Sequence, residues 1–172
     1  MLSRLPMNPP PPVNTRSLTP GERTIALQTF GGSLDPDHVQ IARTKWFWFQ
    51  PRETLMTPSG CIHCHPKGHT YSADYAAEPW PTRGLFVHEL AHAWQWQHGI
   101  PLAWVRWPFA RYRYRLQPGK AFADYGLEQQ AEIVRHWYLQ GEGLTNPAWP
   151  DAAALEAVLP FHPVPCERGW GR

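Results

Sequence analysis

His88 and His92 stand four residues apart with Glu89 beside the first, and no other feature constrains this chain as much. Residues i and i+4 lie on one face of an α-helix, about one turn apart, so a helix brings both imidazoles to a single metal ion. The flanks agree with a helix from about Arg83 to His98. Thr82 can cap it, and His98-Gly99-Ile100-Pro101 supplies the stop, glycine at the C-cap and proline just beyond. Phe86, Leu90, Ala93 and Trp94 fall opposite the two histidines, and Leu85 and Trp96 flank the histidine side. The helix is thus expected to be sheltered on both sides. Two histidines and a glutamate buried without a metal would be costly.

His88-Glu89-Leu90-Ala91-His92 has the form H-E-x-x-H, two zinc ligands and one general base. Glu89 lies about 100° round the helix from His88, close enough to reach water at the metal. Zinc acidifies that water and polarises a carbonyl, while the glutamate moves the proton. The implied chemistry is metal-assisted hydrolysis.

A catalytic zinc usually has three protein ligands. The longer pattern H-E-x-x-H-x-x-G-x-x-H is broken at Gln95, which points to a distant carboxylate or histidine. A second helix is expected from about Leu127 to Gln140, before Gly141-Glu142-Gly143. Glu128 and Glu132 sit one turn apart in it and border the apolar stripe of Leu127, Ala131, Val134 and Tyr138. Glu128 is the preferred ligand. Glu132 is assigned to accept a hydrogen bond from a ligand histidine and fix its tautomer. Asp124, Glu132 and His136 remain rival ligands, and Arg135 could instead pair with both glutamates.

The rest of the chain limits the setting. Its 172 residues are 42% hydrophobic and 17% charged, with ten tryptophans, enough for one domain with a core. Sixteen basic against fourteen acidic residues, a formal net charge of +2, do not point to nucleic acid. No apolar run is long enough to span a membrane. Three cysteines without a signal-peptide pattern argue against a disulfide framework and for a reducing, cytoplasmic compartment.

Residues 1–17, with Pro9 to Pro12, are expected to form a flexible arm, and 18–172 a single domain. Thr19-Pro20 predicts a helix start and Gly31-Gly32 its end. Residues 37–66 look extended. Thr54–Thr57 and Cys61–His65 flank Pro58-Ser59-Gly60, a hairpin signal. A short helix is expected from Ala152 to Leu159.

Cys61-Ile62-His63-Cys64-His65 contains a C-x-x-C spacing with no second pair after it. A strand, with Cys61, His63 and His65 on one face and Cys64 on the other, is the preferred reading over a structural zinc site. Its histidines could then line a substrate cleft. Arg106, Arg111, Arg113, Arg115 and Lys120 interleave with Trp107, Phe109, Tyr112 and Tyr114 between the two ligand helices. That segment could shape the cleft, and a tyrosine from it, or Tyr125, could stabilise an oxyanion.

Val87–Gln95 together with Tyr125–Val134 resembles the bacterial Vgr-related proteins. More distantly it is similar to the metallopeptidase domain found with extracellular contractile injection systems, and to gluzincin-type zinc peptidases. The likeness runs from about Leu18 to Gln140. Where gluzincins carry E-x-x-x-D, the first acid is the third zinc ligand and the second supports a ligand histidine. Carried over, these are Glu128 and Glu132, the second being Glu in place of Asp.

The resulting expectation is an α+β, zincin-like domain: a small antiparallel sheet packed on the H-E-x-x-H helix, with the second ligand helix alongside. Zinc (Zn2+) held by His88, His92 and Glu128, with Glu89 as base, would hydrolyse a peptide or protein substrate. The alternative is a non-catalytic, zinc-stabilised adaptor of a contractile injection apparatus, docked on a Vgr-type spike protein and exported with it. A non-peptide amide, as in cell wall, is a third substrate class, because the motif specifies the nucleophile and not the substrate.

Overall fold

The computed structural model describes residues 14–100, 102 and 111–164. Three short strands, β1 (Thr15–Ser17), β2 (Gln40–Ala42) and β3 (Cys61–His63), form one sheet in the order β1-β2-β3. Among the described residues, the helices that accompany it include α1 (Pro20–Phe30), α2 (Trp80–Gln97), α3 (Leu127–Gly141) and α4 (Ala152–Glu156). The class is α+β.

The sheet is mixed, not antiparallel as expected. β1 runs antiparallel to β2, with Arg16 opposite Ile41, but β2 and β3 are parallel, with Ile41 opposite Ile62. A parallel pair needs a long connection, and residues 43–60 supply one. The hairpin signal survives as a single antiparallel bridge between Met56 and His63. Thr15–Ser17, at the end of the expected arm, is a strand instead. Residues 1–13 lie outside the described residues.

α1 starts as its sequence predicts. Thr19 Oγ1 accepts from the Glu22 backbone N–H at 3.1 Å, and Glu22 Oε2 accepts from the Thr19 N–H at 2.8 Å. The Glu22 carboxylate is fully buried. Burial of a charge is tolerated only when it is paired and hydrogen-bonded. Here Arg16 donates to both oxygens, at 2.7 and 2.8 Å, and the Tyr75 N–H adds a third bond at 2.9 Å. One carboxylate thus ties β1, α1 and the turn before α2 together. Gly31 ends α1 at φ 56°, and a Cβ there would lie 2.6 Å from the His162 carbonyl oxygen, so only glycine fits without a shift.

α2 is the central element. Every residue from Phe86 to Gln95 is buried: Phe86, Val87, Leu90, Ala93 and Trp94 join Tyr75 in the hydrophobic core, and α3 packs against the same helix. Tyr75 stacks flat on Phe86 at 4.8 Å. The helix begins at Trp80, before the expected Thr82 cap, because Pro79 already has the extended conformation of an N-cap and Pro81 suits the first turn. Gly84 allows α3 to approach closely: a Cβ there would meet Leu139 at 3.1 Å and the Arg135 Nε at 3.2 Å. That approach sets which turn of α3 faces the histidines. Trp94, Phe122 and Phe161 close the other end of the core through edge contacts. Among the described residues, no helix is long and apolar enough to cross a membrane.

Candidate metal centre

α2 presents His88 and His92 on one face, and the packing of α3 brings Glu128 to them. His88 Nε2 lies 3.1 Å from His92 Nε2. Glu128 Oε2 lies 3.0 Å from the first and 3.2 Å from the second. All three side chains are buried. Among the described residues, this is the group of histidine, cysteine and acidic side chains that could hold a metal ion. Ligands at about 2.0–2.1 Å around a tetrahedral ion stand about 3.3 Å apart, close to this spacing.

The outer contacts decide the tautomers. His88 Nδ1 is 2.8 Å from Glu132 Oε1, and His92 Nδ1 is 2.7 Å from Gln95 Oε1. Both partners are acceptors, so each Nδ1 carries a proton and each neutral ring turns its Nε2 lone pair inward. Two lone pairs and a carboxylate oxygen facing one another repel unless a metal ion or a proton lies between them. The donor set, two imidazoles and one carboxylate, fits a catalytic zinc site with an open position. Burial works against an imidazolium at His88, and the hydrogen bonds to Glu128 and Glu132 outweigh it, raising its pKa to about 9. The same cluster asks for positive charge from a proton or a metal.

In sequence Gln95 only breaks the longer histidine motif, and its role comes from the fold. It is fully buried. Its amide nitrogen donates to the Leu127 carbonyl at 3.1 Å and to Gln130 Oε1 at 2.9 Å. Gln130 in turn donates to the Tyr125 carbonyl at 2.8 Å. Carbonyl acceptors fix both amide orientations, which leaves Gln95 Oε1 to receive the His92 proton. A buried glutamine three residues after a ligand histidine, facing another on α3, was the available signal.

Glu132 is held from three directions. Besides His88 it contacts Arg135 at 3.1 Å and His136 Nε2 at 3.2 Å. Burial alone would raise its pKa, but hydrogen bonds to His136 and His88 hold it well below the usual carboxylate range. His136, a rival ligand, instead bonds Glu132 and the Tyr114 hydroxyl, the latter at 2.8 Å. Asp124 serves the backbone of Ala121. His98, at the last position of the longer histidine motif, turns away: its Nδ1 donates to the Trp94 carbonyl at 2.8 Å, where α2 ends.

Glu89 is buried next to the ligand face. Thr57 Oγ1 donates to Glu89 Oε2 at 2.6 Å and orients the carboxylate. Nothing in the sequence spacing connects Thr57 with Glu89; the turn before β3 does. Cys61 and Cys64 are free, buried thiols. They form no metal-holding group among the described residues. His63 and His65 are buried too, His63 beside Trp46 at 5.5 Å. Neither is in the described lining of the cleft beside α3. Of the candidate tyrosines, Tyr112 faces His88, with ring centroids 6.0 Å apart. Tyr125 instead accepts from the Gln117 N–H. Arg106, Trp107 and Phe109 lie outside the described residues.

No family model matches the chain. Over 143 residues, 76% of its length, it is 36% identical to the type VI secretion system spike protein VgrG2b of Pseudomonas aeruginosa. It aligns with the solved effector domain of that protein at a TM-score of 0.71 and 31% identity, covering 83% of this chain and 80% of that one. The chain is a Vgr-related protein. The match to the VgrG2b spike protein covers only 14% of that longer protein, so the Vgr-related likeness is to its effector part.

Proposed function

We propose that this Vgr-related chain is a zinc metallopeptidase of effector type. The observation that carries the reading is the convergence of His88 Nε2, His92 Nε2 and Glu128 Oε2 within 3.2 Å, beside a buried Glu89. Zinc bound there would supply the Lewis acidity that acidifies water and polarises a peptide carbonyl. Glu89, oriented by Thr57, takes the proton of the attacking water and delivers it to the leaving amine. Glu132 and Gln95 hold the two ligand rings in the tautomer that faces the metal. The same geometry supports a zincin-like arrangement of α2 and α3.

The likeness to the effector domain of a secretion spike supports delivery by a contractile machine, with a Vgr-type protein as carrier. It also supports the second reading, a non-catalytic part docked on such a spike. The Thr57–Glu89 bond favours the enzyme, because a purely structural site has no use for an oriented carboxylate. The test is Glu89→Gln. It should keep bound zinc and lose hydrolysis of a general substrate such as casein; full retained activity would sink the mechanism.

A further inference from the structure

An open cleft of about 760 Å³ lies on the Glu132 side of the metal centre. Its walls carry Arg113, Arg115 and Lys120, with Gln117, Gln129 and Tyr112. Glu132 is the one carboxylate in the described lining, and His88, Arg135 and His136 already hold it. The remaining charge is positive.

The segment that bears these cations is tied down. Gln129 donates to the Arg113 carbonyl at 2.7 Å, and the Gln117 N–H donates to the Tyr125 hydroxyl at 3.0 Å. Tyr114 and Leu116 pack toward the core while Arg113 and Arg115 between and before them stay exposed. Lys120 lies over the Tyr125 ring at 4.3 Å. Two guanidinium groups are thus presented to the cleft from an anchored backbone. Tyr112 joins the cleft to the metal centre by its contact with His88.

Resting on the hydrolase reading, we infer that this cleft is the substrate-binding subsite next to the metal and that it selects acidic peptide segments. Guanidinium groups pair with carboxylates in two-point contacts, whereas a neutral segment would leave them unmatched. A peptide fits better than nucleic acid, because the chain as a whole carries a charge of only +2.

The test uses the full Glu89→Gln chain, so that binding is read without cleavage. A fluorescein-labelled hexaglutamate peptide is titrated by anisotropy, beside hexaglutamine and an oligothymidylate of matched charge. Hexaglutamate should bind about tenfold more tightly than hexaglutamine, with affinity falling as salt rises. Arg113→Ala combined with Arg115→Ala should remove that preference while zinc content and circular dichroism stay unchanged. Arg113→Lys with Arg115→Lys should restore part of it. Equal binding of hexaglutamine, an unaffected arginine variant, or tighter binding of the oligothymidylate would each overturn the assignment. Binding of hexaglutamate by a wild-type protein that cleaves no casein would instead overturn the hydrolase reading and leave the acidic-peptide site standing.

Discussion

Gln95 accepts the Nδ1 proton of His92 at 2.7 Å while its own amide nitrogen is committed to α3. A side chain on α2 thereby couples the position of α3 to the His92 ring. Gln95→Met keeps the volume and removes the acceptor. Zinc affinity, measured by competition with a chelator, should fall about 10- to 100-fold. Stability should drop by about 1–3 kcal/mol, because Gln130 loses its donor in a buried setting. Unchanged zinc affinity would show that the His92 ring is held by packing alone.

Metal content separates ligands from supports. One zinc per chain is expected in the wild type, and none in His88→Ala or Glu128→Ala. Glu132→Ala should still bind zinc, about 10- to 100-fold more weakly, since it removes a hydrogen bond and no ligand. Elemental analysis after dialysis against a weak chelator reads all three. Zinc retained in Glu128→Ala and lost in Glu132→Ala would exchange the two roles.

Thr57→Val removes the hydroxyl that orients Glu89 and little else, because the two side chains have nearly the same shape. A hydrogen bond to a charged group contributes about 1.5–3 kcal/mol. The expected result is a fall in kcat of about 10- to 100-fold with zinc content unchanged. A variant with altered KM alone would place Thr57 in substrate binding and away from the base.

The buried thiols give a test that needs no substrate. Burial pushes Cys61 up to about 12 and Cys64 up to about 11, so neither is a thiolate near neutrality. Iodoacetamide at pH 8 should label both only after denaturation, as read from the peptides that contain them. These raised values also set an alkaline limit. Their contribution to stability is fully present below the ordinary thiol value near 9 and is lost as pH rises through about 11 to 12. Denaturant midpoints that stay flat from pH 8 to beyond that range would contradict the burial of these groups.

Local signals determined much of this protein. Periodicity and cap residues delivered α1, α2 and α3, since Thr19, Pro20 and Gly31 act through bonds within a turn of themselves. The i, i+4 spacing alone makes His88 and His92 neighbours. The choice of Glu128 over its rivals drew on an apolar stripe and a family resemblance, and its distance to the histidines depends on how α2 meets α3 at Gly84. Only the tertiary structure decided the rest. The parallel pairing of β2 with β3 follows a long connection whose path no local pattern encodes. Thr57 reaches Glu89, and Gln130 reaches Gln95, across separations where spacing carries no information. Helix and cap energies are local and can be read along the chain, whereas contacts between elements exist only after packing has chosen which faces meet.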